Sequence, residues 1–372
     1  MRCLRIDENS PFHRLIGVGG IGTGIFFELE GDHTLGRNES RPGRLLDVKD
    51  YCKLHIVIHY VAKLLGSAPS GTFHVLPVGM VGDDAAGRHV IDTMAAAGID
   101  TSHVRVVTSA ATLFSVCFQY PDGSGGNITT SNSASGTLCS ADITHVRTLL
   151  ENDGRRSIAL AVPEVPLETR KQFLEICSRA GAFCAASFVG AEVNAARDSD
   201  MFDLLDLVAL NDSEAEILVG QPFAIESEEP FLQSCQKLIR ESYPKLMMIV
   251  SAGAAGAYGI TKSGYQFCPA PQVRVASTAG AGDALLGGTL AGLAAGLSFV
   301  HPGGSFENRR VETALQLGVL LASFKCLSPH TINMSAEVDS LLEFAEQVGT
   351  PFGHEVTNLI SASVAMQSSP TT

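Results

Sequence analysis

The sequence predicts an α/β fold of three layers, a mostly parallel central sheet with helices on both faces, plus a small β lid. Three observations predict it. From about residue 140 short apolar runs alternate with segments of helical spacing, the rhythm of parallel strands joined by crossover helices. Before residue 140 the hairpin-like segments do not share that rhythm, so they are assigned to the lid. Apolar residues make up 45% of 372 and charged residues only 17%, enough for a large core and too little charge for a disordered chain or a long coiled coil.

The elements follow in order. The first strand, Leu15–Val18, runs into the glycine cluster Gly17-Val-Gly-Gly-Ile-Gly-Thr-Gly24. Gly31–Arg44 is polar and irregular and reads as a loop or flap. Val48–Leu65 has helical spacing, with Leu54, Val57, Val61 and Leu64 on one stripe and Gly66 as the stop. Phe73–Val78 is a short apolar strand. A helix over Ala85–Ala97 follows, capped by Asp83 or Asp84 and ended by Gly98. Thr112–Tyr120 alternates and meets the turn residues Pro121-Asp122-Gly123, so it is a hairpin strand. Asn127–Thr137 reads as loop.

Helices are then expected at Ala141–Leu150, Leu167–Ala180, Ser199–Leu205, Ser213–Val219 and Glu229–Glu241. They alternate with strands at Ser157–Val162, Ala182–Ala186, Leu207–Leu210 and Leu246–Val250. A hairpin covers Gly256–Pro269, and a strand-like Val273–Ala276 leads into helix Asp283–Leu297. Helices Val311–Lys325 and Val338–Glu346 follow. The chain is read as one domain over residues 1–360, with lid segments within 22–50 and 108–135 and a disordered tail over 361–372.

Charge and cysteine usage narrow the partners. The net charge is −13 and there is no Lys/Arg block, a poor match to nucleic acid or to an anionic membrane. The longest uncharged run, Ala284–Val300, is short of a full span and contains four glycines, so it reads as a buried helix. Nine cysteines form no C-x-x-C pair and fit reduced, buried thiols, and the N-terminal stretch lacks the apolar core of a signal peptide. A cytoplasmic location is expected.

The segment with most chemistry is Ser277-Thr-Ala-Gly-Ala-Gly-Asp283 before an apolar helix. It puts the amides of Gly280, Ala281 and Gly282 at a helix N-terminus, where free N–H groups and the helix dipole attract a phosphate. A carboxylate at Asp283 would face that anion. It either caps the helix or accepts a proton from a hydroxyl that attacks a γ-phosphate.

On these residues the chain resembles the ribokinase-like (PfkB) carbohydrate kinases. Their C-terminal signature is matched at Thr278, Gly280, Ala281, Gly282 and Asp283. Val78-Gly-Met-Val-Gly-Asp-Asp84 with Gly87, and Ala97-Gly-Ile-Asp-Thr-Ser102, resemble a segment of the family's first half. Asn211-Asp-Ser-Glu214 resembles its Asn-x-x-Glu motif, and Ser251-Ala-Gly-Ala-Ala-Gly256 its nucleotide-site segment. The resemblance covers about residues 76–345.

The resemblance implies an ATP-dependent kinase acting on a hydroxyl of a sugar, sugar derivative or sugar phosphate. Asp283 would be the base, with the Gly280–Gly282 amides as the anion hole. Asn211 and Glu214 would organise Mg²⁺ through waters. Ser251, Gly253, Gly256 and Thr278 would line the nucleotide site, with His330 near the adenine edge. A homodimer is implied, and a monovalent cation is an open possibility.

Three departures from the family pattern stand out, the first two in the acceptor half. Gly24 stands where the family places an Asp that holds sugar hydroxyls. The Gly-Gly-x-x-x-Asn that opens the family's next helix is absent around Asp50-Tyr-Cys-Lys-Leu-His55. Ser277 replaces the first Asp of the signature. Candidates for the rewritten acceptor half are Gly22, Gly24, Asp32, Arg37, Asn38, Glu39 and His55. Arg37, Arg41 and Arg44 could bind an anionic acceptor, or the loop could be plain surface. His55 and His59, one turn apart, could contact the acceptor or pack. Two alternatives stay within the family: an inactive relative that binds a metabolite in a regulatory role, and a nucleoside kinase. A dinucleotide site on the N-terminal glycine run is disfavoured, because no amphipathic helix follows it directly.

Overall fold

The computed structural model describes residues 2–121, 125–151, 153–224, 227–301 and 310–362. The strands are β1 (Arg2–Leu4), β2 (Arg14–Val18), β3 (Gly22–Leu29), β4 (Gly43–Tyr51), β5 (His74–Gly82), β6 (Val104–Val107), β7 (Leu113–Gln119) and β8 (Gly125–Thr129). They continue as β9 (Ser157–Ala161), β10 (Phe183–Ser187), β11 (Leu207–Asn211), β12 (Met247–Ser251), β13 (Gly256–Thr261), β14 (Gly264–Pro269) and β15 (Ile360–Ala362). The helices are α1 (Lys53–Leu65), α2 (Ala85–Ala96), α3 (Ser140–Ile143), α4 (Val146–Leu150), α5 (Leu167–Arg179) and α6 (Gly190–Asp198). Then come α7 (Asp212–Val219), α8 (Glu229–Glu241), α9 (Ala281–Ala294), α10 (Ala314–Lys325), α11 (Val338–Gln347) and α12 (His354–Thr357).

A nine-stranded sheet runs β14-β13-β12-β11-β10-β9-β2-β5-β6. Its pairings are parallel from β12 to β6, and the β13–β14 hairpin is antiparallel on one edge. Successive side chains alternate between two apolar layers: Leu15 and Ile158 enter one, Ile16 and Ala159 the other. The first layer packs α1, α2, α9, α10 and α11, and the second packs α3 to α8. Burial on both faces is why these strands read as continuous apolar runs. Helix α9 lies between α1 and α10, apolar on every side, so it shows no polar stripe.

A second sheet has the order β4-β3-β7-β8. It is built from residues inside the segments 22–50 and 108–135, with one further residue, Tyr51. β1 pairs with β15 in a separate antiparallel ribbon.

Several expectations are corrected. Helix α1 begins at Lys53 rather than Val48, because Gly43–Tyr51 pairs with β3 as a strand. Gly125–Thr129 is a strand, so the first residues of the expected loop over Asn127–Thr137, Asn127 to Thr129, are paired to β7. The helix expected at Ser199–Leu205 is a 3₁₀ turn over Met201–Leu204, preceded by α6. Val273–Ala276 is not a strand. Asp84, not Asp83, caps α2, its side chain accepting from Gly87 N at 2.8 Å. β15 extends into the expected tail, and 363–372 lie outside the described residues, as does 122–124 of the expected turn.

Candidate active site

The chain leaves β2 towards β5 and β6 on one side, while β9 to β12 build outwards on the other. Strand order therefore reverses between β2 and β9. Such a switch point opens a crevice at the carboxyl ends of the strands, where α/β folds bind ligands. Glu164 stands there, three residues beyond β9. A Cβ on Gly20, just past β2, would lie 2.3 Å from Glu164 Oε2, so glycine makes the room. Glu164 has φ +77°, a conformation non-glycine residues rarely adopt. Outliers of this kind cluster at functional sites.

A cavity of about 1300 Å³ lies over this crevice, walled on one side by β4, β7 and β8 and on the other by the turn before α9. Gly280 caps that helix with φ +81°, and a Cβ there would meet Thr331 O at 2.5 Å. Ala281 N donates to Thr278 O at 3.0 Å, so this amide is engaged inside the turn. Among the described residues the Gly280 and Gly282 amides have no protein acceptor. The free amides of the turn are thus these two, not all three.

Asp283 is in the first turn of α9 and lines the cavity, its side chain 12% exposed. Its Oδ2 lies 4.0 Å from Lys53 Nζ. Lys53 opens α1, and its backbone N–H donates to Glu164 Oε2 at 3.0 Å. The Asp283 charge, helped by Glu164 and Glu214, holds the Lys53 ammonium above its ordinary range. Burial lifts Glu164 from 4.5 to about 7, against the pull of Lys53.

Asp50, at the end of β4, is 4% exposed and lines the same cavity. It accepts from Ser115 Oγ at 2.6 Å and from Cys117 Sγ at 3.6 Å, and burial raises its proton affinity. A Cβ on Gly24 would stand 2.2 Å from Asp50 Oδ2. A carboxylate thus stands beside position 24 of β3, on the neighbouring strand.

Asn211 and Glu214 form a reciprocal cap at the start of α7. Glu214 N donates to Asn211 Oδ1 at 2.7 Å and Asn211 N donates to Glu214 Oε2 at 2.9 Å. Burial raises Glu214, with Lys53 pulling it down and Asp283 pushing it up. Ser251 is the register partner of Asn211 at the same sheet end. Gly253 has φ +55°. Gly256 has φ +131° and would bring a Cβ to 2.1 Å from Cys268 O, so the β12–β13 turn itself requires glycine.

The other expected residues are placed differently. Thr278 lines the cavity. His330 Nδ1 accepts from Lys49 N at 3.1 Å, which joins it to β4. Gly22 is a pairing position, since a Cβ would lie 2.1 Å from Leu113 O. Asp32, Arg37 and Asn38 are exposed on the loop before β4, and neither they nor Glu39 lines the cavity. Glu39 accepts from Gly36 N and Arg41 Nε, each at 2.7 Å, with the Gly36 amide foremost in lowering its proton affinity. Arg44 pairs with Glu28. His55 is fully buried in α1, its ring centroid 4.6 Å from that of Tyr51.

Sequence reasoning missed Lys53, Asp50 and Glu164. Glu164 had a usable signal, an acid following an apolar strand of the parallel series. Asp50 and Lys53 were hidden because the strand end was read as helix.

Comparison with known proteins agrees with this architecture. The profile of the pfkB family carbohydrate kinases matches residues 58–338. A deoxyribokinase from Salmonella typhimurium is 25% identical over 272 residues, covering 73% of this chain and 81% of that protein. The ribokinase of Cryptococcus neoformans var. grubii serotype A, solved in complex with ADP, superposes with a TM-score of 0.70 at 19% identity, over 89% of this chain and 99% of that one. The nucleoside kinase of Burkholderia thailandensis, solved with inosine, gives 0.63 at 20% identity, over 91% and 100%. The protein is a kinase. It belongs to the pfkB family of carbohydrate kinases.

Proposed function

We propose that the protein transfers the γ-phosphoryl group of ATP to a hydroxyl of a neutral polyhydroxylated acceptor, a free sugar or the sugar ring of a nucleoside. The observation that carries this is the cavity itself. It brings together Asp283, the unpartnered Gly280 amide at the α9 N-terminus and the Lys53 ammonium in a space also lined by Asp50 and Glu164. Asp283 takes the proton of the attacking hydroxyl as the new O–P bond forms and the bond to ADP breaks. The Gly280 and Gly282 amides and the α9 dipole face the charge on the transferred group.

The lining supports a neutral acceptor. Asp50, Glu164, Glu192 and Asp283 line the cavity, against Lys53 as its one Lys or Arg among the described residues. Arg41 is tied to Glu39 and to His33 O, Arg44 to Glu28, and Arg37 is exposed, and none of the three lines the cavity. A phosphate on the acceptor would meet mainly carboxylates. Asp50 and Glu164 are the groups to hold acceptor hydroxyls.

Asn211 and Glu214 would hold Mg²⁺ through waters. The donor set fits: Glu214 Oε2 is bound to Asn211 N, its other oxygen has no protein donor among the described residues, and burial disfavours its bare charge. When bound, the ion neutralises phosphate oxygens and aligns them. Ser251 and the β12–β13 turn lie at the same sheet end and would face the nucleotide. The second sheet would act as a lid that excludes water, and its exposed Leu45 and Ile128 support a homodimer contact there.

The test is ADP release with MgATP against sugars, nucleosides and sugar phosphates. The native protein should turn over a neutral acceptor, and Asp283→Asn should lose about 10²–10⁴-fold in kcat while still binding ATP. Turnover confined to phosphorylated acceptors, or survival of activity in Asp283→Asn, would refute the reading.

A further inference from the structure

Lys325 ends α10 and is fully buried. Its ammonium donates to Ser277 O at 3.0 Å, at the head of the turn that leads into α9. The next residue completes the grip: Cys326 O accepts from Ala276 N at 2.8 Å and Ser277 N at 3.4 Å. Among the described residues no carboxylate forms an ion pair with Lys325. Asp283 is the acid whose charge reaches it, and burial lowers its proton affinity to about 8.

An unpaired buried ammonium is unfavourable unless something compensates it. A lysine used only to tie a helix end to a turn could be a neutral donor at less cost. What the position offers is charge: it lies behind Ser277, which lines the cavity, while Lys325 itself does not. Across that turn, at the α9 N-terminus, is the place for phosphates. At short range and low effective dielectric a fixed cation there would act strongly on an anion.

We propose that Lys325 is a built-in cation of the phosphate site, a positioning residue that holds the Ser277–Gly280 turn from behind and offsets the charge of the nucleotide's phosphates without touching them. This rests on the ATP-dependent reading above. The ligand class it serves is a nucleoside polyphosphate, and its effect should scale with phosphate rather than with base or sugar.

The experiment compares Mg²⁺-ATP with adenosine by calorimetry, so no acceptor is needed. Lys325→Met should bind ATP at least tenfold more weakly than the native protein and adenosine equally well, whereas Lys325→Arg should keep ATP affinity within about threefold. Lys325→Ala should regain ATP affinity when methylammonium is supplied and not when the bulkier choline is. If Lys325→Met does not fold, Lys325→Ala prepared in methylammonium decides the matter in the same way. Unchanged ATP affinity in the folded variant, an equal fall for ATP and adenosine, or no methylammonium rescue would each overturn the proposal. A native protein with no preference for ATP over adenosine would instead overturn the ATP-dependent reading, which keeps the two failures distinct.

Discussion

Glu164, which we propose to bind acceptor hydroxyls, also bears on stability. Its φ of +77° and its buried carboxyl are unfavourable taken alone, and they persist because Gly20 leaves it space and the Lys53 amide binds it. Burial raises it from 4.5 to about 7, so the folded chain prefers the protonated form. Its contribution to stability is full below pH 4.5 and is lost as pH rises through about 7. Glu164→Gln should therefore flatten the fall in Tm over that window, read by thermal unfolding at several pH values. In turnover assays above pH 7, where the carboxylate is charged, the same change should raise the acceptor KM about ten- to hundredfold, the worth of a charged hydrogen bond. A Tm profile identical to the native one would show that Glu164 does not titrate in this way.

At the scale of elements, α1 has the clearest consequence. His55 and His59 lie one turn apart on it, both buried, and neither ring has a hydrogen-bond partner. Burial drives both down, His59 from 6.5 to about 4, with the Lys63 charge adding to it. A base depressed in the folded state contributes stability that is full above pH 6.5 and lost as pH falls towards 4. His59→Leu should shrink the difference in urea-unfolding stability between pH 7.5 and pH 5, and an unchanged difference would rule out His59 as its source. Neither residue lines the cavity, and we propose packing as the role of this pair. The same region shows the limit of reading elements from sequence. The parallel series from β9 to β12 was legible because burial on both faces leaves plain apolar runs between helical stripes. The signature turn at Gly280 was legible because glycine is the residue that tolerates its φ and the nearby Thr331 carbonyl. β4 was not. Its exposed, charged segment Gly43–Asp47 resembles loop, its end runs into α1, and its strand character comes from pairing with β3, a contact distant in sequence. With β4 misread, Asp50 and Lys53 could not be placed at the cavity.

Across the whole molecule one segment joins the second sheet to the turn before α9. After α10 the chain passes Ser328 to Thr331. Thr331 N donates to Lys49 O at 3.2 Å, and Thr331 Oγ1 accepts from Tyr51 N at 2.9 Å, which fixes it to β4 of the second sheet. Its carbonyl lies where a Cβ on Gly280 would come to 2.5 Å, so it also sets the turn before α9. The second sheet and the turn before α9 are thereby tied through a buried residue, 3% exposed. If the sheet closes on the acceptor, bound acceptor should tighten nucleotide binding, and linkage requires nucleotide to tighten acceptor by the same factor. A coupling of about 1–2 kcal/mol, or roughly five- to thirtyfold, is expected for the native protein. Thr331→Val keeps the side-chain shape but removes the oxygen, leaving the Tyr51 amide without its acceptor at a stability loss of about 1–3 kcal/mol. In that variant the coupling should fall to within about twofold while each ligand alone binds nearly as before. The measurement is calorimetric titration of a non-hydrolysable ATP analogue with and without saturating acceptor, and of acceptor with and without the analogue. Native-sized coupling in a folded Thr331→Val protein would mean that the sheet and the turn communicate by another route, with the Thr331 contact serving only to hold β4 in place.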